Sequence, residues 1–174
     1  IERLAQIVNK SNRNEVLEKE DLRFLYEVDG EIQGFPDYED SRIKSLRDKR
    51  DKRKDYAEIF DCKPEEVAFE IKDLDQEMML LEGDEIYSHS QIHDMVEELK
   101  KEQDKIVVLV GDYKTRNLPR SFIPKNLKHI TGSADFDHSL STDLGQLETI
   151  GSDARFKNSK IVNLGQLKIV GEMY

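Results

Sequence analysis

The sequence predicts an α+β protein, with a mainly helical N-terminal domain over residues 1–105 followed by a short β-solenoid over residues 106–174. Three observations carry that expectation. The charge balance breaks near residue 105, since residues 106–174 hold nine basic and seven acidic side chains against eighteen and thirty in residues 1–105. The last third of the chain repeats itself with a period of twenty. Apolar residues before the break recur at helical spacing, whereas after it residues two apart share a face.

Taken in order, Leu4, Ile7 and Val8 line one side of a helix over residues 2–8, and Leu22, Phe24, Leu25 and Val28 line a second over residues 18–28 that stops at Asp29-Gly30. Gly34 to Asp37 reads as a turn. Residues 41–60 read as one long charged helix with Ile43, Leu46, Tyr56, Ile59 and Phe60 on its apolar side. Residues 64–67 suit a tight turn or a first helical turn, and residues 67–71 and 78–81 suit short strands. Residues 90–103 predict a helix with Ser90 as its N-cap and a stripe of Ile92, Met95, Val96 and Leu99. Lys100 and Lys101 oppose the negative end of its dipole. Residues 106–110 read as a buried strand.

Residues 127–146 (LKHITGSADFDHSLSTDLGQ) and 147–166 (LETIGSDARFKNSKIVNLGQ) are identical at eight of twenty positions without a gap. The pairs are Leu127/Leu147, Ile130/Ile150, Ala134/Ala154, Phe136/Phe156, Ser139/Ser159, Leu144/Leu164, Gly145/Gly165 and Gln146/Gln166. A partial third copy, residues 167–174, opens with Leu167, Val170 and Gly171, and residues 106–126 read as a degenerate first coil with Val107, Val110 and Gly111 one period before Leu127, Ile130 and Thr131. Matched positions are mostly apolar or Gly, as stacking requires, because inward side chains must fit those above and below them. Ala and Phe two apart read as a strand with one buried face, placing Phe136 directly beneath Phe156.

From Phe156 the pattern runs through Ser159, Ile161, Leu164, Leu167 and Val170. This spacing resembles leucine-rich repeats, whose pattern is L-x-L-x-x-N-x-L-x-x-L-x-x-L. The resemblance implies that Ser139 and Ser159 cap backbone groups where such repeats carry Asn, and that Gly145 and Gly165 serve a bend. The sequence departs from the pattern with Ala for Leu in the strand, Ser for Asn, and Ser141 where Ile161 stands one period on. A right-handed β-helix, or the β-helical repeat of receptor L domains, has similar spacing. The stretches DLRFLYEVDGEIQGFP, DSRIKSLRDKR and IFDCKPEEVAF also resemble the N-terminal region of uncharacterised bacterial proteins with leucine-rich-like repeats downstream. That likeness implies a cap domain before the repeats and names no catalytic residue.

Bulk properties narrow the function. The net charge of −10 over 174 residues argues against the whole chain binding a polyanion. Cys62 is the single cysteine, which rules out an intrachain disulfide and suits a reducing, cytoplasmic compartment. No apolar run approaches the length of a membrane span, and the start lacks a signal-peptide pattern. The chain opens on Ile1 and closes within a repeat, so the sequence suggests a fragment or processed form. Its uncapped last coil is expected to continue in the natural protein or to pair end to end with another chain.

Candidate chemistry is sparse. His89 and His93 stand four apart, the spacing of a zinc pair on a helix, with Cys62, Asp84 or Glu85 as further ligands. His89 precedes the expected cap, so the simpler reading is surface histidines and no metal. Arg42, Lys44, Arg47, Lys49, Arg50, Lys52, Arg53 and Lys54 form a basic cluster, but interleaved Asp48 and Asp51 describe a self-paired, solvated helix. Gly111 followed by Lys114-Thr115 lacks the second Gly and the loop length of a phosphate-binding loop. No cofactor is implied. The sequence therefore predicts a non-catalytic interaction module for a protein partner, with outward strand residues Asp135, Asp137, Arg155 and Lys157 as contacts. The alternatives are an enzyme with its site in residues 1–105, or nucleic-acid binding through Arg50, Arg53 and Lys54 on the basic helix.

Overall fold

The computed structural model describes residues 2–30, 32, 40–72, 74–83, 86–114, 123–169 and 171. The chain divides into two compact units, Ile1–Pro64 and Glu65–Tyr174. The charge break at residue 105 lies inside the second.

The first unit holds α1 (Glu2–Asn12), α2 (Lys19–Leu25), α3 (Ser41–Asp48) and α4 (Lys52–Ile59). Helices of seven or eight residues are unstable alone, so their packed faces must hold them. Leu4, Ile7, Leu22, Leu25, Ile43 and Ile59 supply that core, each 3% exposed or less. Burial of each contributes about 1.5–3 kcal/mol. Lys10 pairs with Asp21 at 2.6 Å, tying α1 to α2. The single helix expected over residues 41–60 is broken at residues 49–51. Asp51 there caps α4, its carboxylate accepting from the N–H groups of Arg53 and Lys54. A capping Asp offers the backbone a better end than another helical turn. The turn expected at residues 34–37 lies outside the described residues.

A 3-10 turn, Pro64–Glu66, carries the chain from the first unit into the second, which continues with β1 (Val67–Ala68). Two helices follow, α5 (Leu74–Glu82) and α6 (His89–Gln103). The run Met78-Met79-Leu80-Leu81, expected as a strand, lies within α5; Met and Leu, neither of them branched at Cβ, favour helix over strand. The cap of α6 is Ser88 rather than Ser90, its Oγ accepting from Gln91 N–H while Gln91 Oε1 accepts from Ser88 N–H.

Seven two-residue strands complete the chain: β2 (Val108–Leu109), β3 (Tyr113–Lys114), β4 (His129–Ile130), β5 (Ala134–Asp135), β6 (Thr149–Ile150), β7 (Ala154–Arg155) and β8 (Lys168–Ile169). They form a five-stranded parallel sheet in the order β1-β2-β4-β6-β8 and a three-stranded parallel sheet in the order β3-β5-β7. This corrects the expected α+β class with a terminal leucine-rich-repeat-like β-solenoid: the described chain is a mixed α/β arrangement of six helices and two small parallel sheets. The larger sheet opens with β1, and α5 and α6 form the crossover from β1 to its parallel neighbour β2. Parallel neighbours cannot be joined by a tight hairpin, and here a pair of helices makes the crossover, which interleaves helix and sheet instead of separating them.

The register explains further differences. Each repeat gives one strand to each sheet, although only the Ala-Phe strand was expected. Ile130 faces Ile150, and Ala134 faces Ala154, at the expected spacing of one period. Leu109, rather than Val110, faces Ile130. Ile169 faces Ile150, and Val170, expected to match it, lies outside the described residues. In the first case the fully buried position goes to Leu109, and Val110 is only partly covered. The core gathers Leu109, Tyr113, Leu127, Ile130, Phe136, Leu144, Leu147 and Ile150. Phe136 stacks on Phe156 with ring centroids 5.3 Å apart and an interplanar angle of 18°, and Tyr113 tilts against its other side at 5.2 Å. Where chain passes closest to chain, a Cβ on Gly151 would collide with the carbonyl oxygen of Thr131.

Candidate functional site: a charged row on the three-stranded sheet

Alternation along a strand sends neighbouring side chains to opposite faces. In β3, β5 and β7 the inward members are Tyr113, Ala134 and Ala154, all buried. Lys114, Asp135 and Arg155 are the outward members, and the register sets Lys114 opposite Asp135 and Asp135 opposite Arg155. A basic, acidic, basic row therefore crosses the sheet at strand spacing, about 4.8 Å per step. Ser133, Ala134 and Asp153 join these three and Tyr113 in lining an open cleft of about 490 Å³.

Local hydrogen bonds hold the cleft's shape. Asp112 accepts from Ser133 N–H at 2.9 Å and lies 3.6 Å from Lys114 Nζ. Asp135 accepts from Asp137 N–H at 3.0 Å. Asp137 turns to the next repeat, accepting from Lys157 N–H at 2.6 Å and standing 3.6 Å from the Arg155 guanidinium. Its side chain is only 17% exposed, against 59% for Arg155. Of the four contact residues expected from sequence, the structure brings Asp135 and Arg155 into the cleft. Asp137 acts as a brace between repeats, and the exposed Lys157 lies beside the cleft. Sequence reasoning missed Lys114 because its strand has no Ala-x-Phe signature. Its placement twenty-one residues before Asp135, after a short apolar run, was the available signal.

The other candidate groups are dispersed or engaged. Arg50 grips Asp55 with Nε and Nη2 at 2.6 and 2.7 Å, and the Tyr26 hydroxyl donates to the same carboxylate at 2.8 Å. Asp55 is 5% exposed, so this network lies inside the first unit. Burial, followed by the hydrogen bond to Asp55, pushes the Tyr26 phenol far above its ordinary range. Arg53 reaches the Pro64 carbonyl, and Lys54 lies 3.6 Å from Asp51. Arg42 pairs with Asp40, holding its carboxyl down at about 2, while Lys44 pairs with Asp48 and Arg47 with Glu27. The basic segment is thus interlocked with carboxylates rather than presented as a continuous stripe.

His89 and His93 both lie in α6 and are exposed, and Asp84 and Glu85 lie outside the described residues. Among the described residues no group of three His, Cys, Asp or Glu side chains is arranged to hold a metal ion. No described helix is long and apolar enough to cross a membrane. Comparison with family models, with curated proteins and with solved structures finds no match to this chain.

Proposed function

We propose that this chain is a non-catalytic protein-binding module whose contact surface is the outward face of the three-stranded sheet. The row Lys114–Asp135–Arg155 carries this reading. Three side chains of alternating sign, fixed by register at the mouth of one open cleft, suit a partner surface with complementary alternating charge. A polyanion would be attracted by the two cations and repelled by Asp135 and Asp153. The open form suits extended contact with a partner surface.

The test is affinity capture with the purified chain and with Lys114→Glu/Asp135→Lys, which inverts two steps of the row without touching the apolar core. A specific polypeptide should be retained by the native protein, and its reconstituted binding should weaken about tenfold or more in the variant. Equal binding to both proteins removes this face as the contact surface. Salt-sensitive binding to duplex or single-stranded nucleic acid, abolished by Arg53→Glu/Lys54→Glu, supports the basic-segment alternative instead.

A further inference from the structure

Residues 73–99 carry nine acidic side chains and neither lysine nor arginine. They span α5 and most of α6, the hairpin that crosses from β1 to β2. In the first unit, by contrast, Asp21, Glu27, Asp40 and Asp48 each pair with a Lys or Arg. Glu77 stands 3.9 Å from Lys72, whereas among the described residues Glu82, Asp94, Glu97 and Glu98 have no Lys or Arg within ion-pair distance. The hairpin therefore holds negative charge that its own surroundings leave uncompensated.

The same hairpin exposes apolar surface toward its turn. Gln103 closes the base, its Nε2 donating to the Lys72 carbonyl at 3.1 Å and its Oε1 accepting from the Lys72 N–H at 2.5 Å. Beyond the base α5 packs on α6, and Leu74, Met78 and Leu81, set in one stripe by helical spacing, are partly covered. Met79 and Leu80 lie about 130° round the helix axis from that stripe. They are 69% and 63% exposed, and Ile86, Tyr87 and Met95 are exposed as well. Of the ten large apolar side chains that stand exposed among the described residues, five thus fall within residues 79–95. Single exposed apolar groups are ordinary, but a concentration of them with a charged rim marks an interaction surface.

Geometry and charge together define the occupant. A helix satisfies its own backbone donors and acceptors, so this surface offers side chains and cannot extend a sheet. Another helix fits it, with an apolar ridge seated along Met79 and Leu80. The flexible thioethers of Met79 and Met95 adapt their shape to such a ridge. The rim requires that helix to be basic. A second copy of the hairpin would set acids against acids, and the same rim would repel an anionic bilayer or a nucleic acid.

We infer that the α5–α6 hairpin docks a basic amphipathic helix of another protein, its apolar stripe on Met79, Leu80 and Met95 and its lysines or arginines over Glu82, Asp94 and Glu98. This is a second contact surface, and it stands independently of the charged row on the three-stranded sheet.

The test is fluorescence anisotropy of labelled peptides of about fifteen residues on the full chain. The probe carries Leu at helical spacing along one face and Lys elsewhere. One control keeps that composition with the Leu positions scrambled, and the other replaces every Lys with Glu. The amphipathic basic peptide should bind about tenfold tighter than the scrambled one, and the acidic peptide should not bind. Met79→Ser/Leu80→Ser should abolish the advantage of the amphipathic order, and Glu82→Lys/Asp94→Lys/Glu98→Lys should transfer the preference to the acidic peptide. Both variants change exposed side chains, and circular dichroism matching the native spectrum verifies that they fold. Equal binding of the ordered and scrambled peptides, which a general attraction between opposite net charges would produce, overturns the inference. So does unchanged affinity in folded Met79→Ser/Leu80→Ser, or a stable dimer of the chain that this variant dissolves. The unmodified chain with the three peptides tests the inference without any variant. Lys114→Glu/Asp135→Lys should bind the probe as tightly as the native chain, and loss of binding there would move the contact to the sheet and overturn this inference alone.

Discussion

Replacing Phe136 with Ala should cost far more than the same change at Phe156, although the two occupy equivalent positions in the repeat. Phe136 is fully buried with a ring on each side, Tyr113 at 5.2 Å and Phe156 at 5.3 Å. Truncation removes the transfer free energy of the ring and leaves a cavity with partners on both faces, an effect of about 3–5 kcal/mol. Phe156 is half-buried and has one described ring neighbour, so its truncation should cost about half as much, roughly 1.5–2.5 kcal/mol. The double variant should reveal a coupling of about 0.5–1.5 kcal/mol from the stacked pair. Because two compact units need not unfold together, native-state hydrogen exchange is the suitable assay. The Phe136 and Gly151 amides, which donate to Arg155 and Ile130, report opening in the repeats. Equal losses at Phe136 and Phe156 would mean that the last repeat is as well covered as the first.

Other expectations follow from single contacts. Asp55→Ala leaves the Arg50 guanidinium and the Tyr26 hydroxyl without their shared carboxylate, costing about 3 kcal/mol in urea denaturation. Asp48→Ala removes only a solvent-exposed pair with Lys44, which water and salt screen, and should leave the urea midpoint unchanged. The upward shift of Tyr26 makes its contribution complete below the ordinary phenol value of 10.0 and progressively lost as pH rises above it. Tyrosinate absorbance should show a late-titrating phenol, and Tyr26→Phe should weaken the alkaline loss of stability. Gly151→Ala must displace the Thr131 backbone and should cost about 1–3 kcal/mol in thermal unfolding, whereas Gly30→Ala has open space and should act only through its positive φ of 132°.

The twenty-residue period was legible because inward positions tolerate little change, and the facing of Ile130 with Ile150 and of Ala134 with Ala154 follows it. The split of each repeat between two sheets was not, because strands of two residues are too short to show alternation. His129-Ile130 and Thr149-Ile150 carry no more pattern than any polar-apolar pair. The irregular register at both ends escaped for a related reason. Val110 and Val170 are as apolar as Leu109 and Ile169, and composition cannot choose between adjacent apolar residues when the backbone can shift by one. Helix positions were read well where an apolar stripe met a polar face, as in α6, and poorly where Met78 to Leu81 leaves no polar face. At the charged row, Asp135 and Arg155 could be found from the repeat alone. Lys114 required the pairing of β3 with β5, and the bracing role of Asp137 required knowing that its carboxylate reaches the backbone of the following repeat.

Binding through the three-stranded sheet is tested most directly by hydrogen exchange of the chain alone and with a reconstituted polypeptide partner. Protection should appear at Lys114, Asp135 and Arg155, leaving α3 and α4 unchanged. Protection confined to α3 and α4, with the three strands exchanging as in the free chain, would place the contact on the basic segment and contradict the proposed surface.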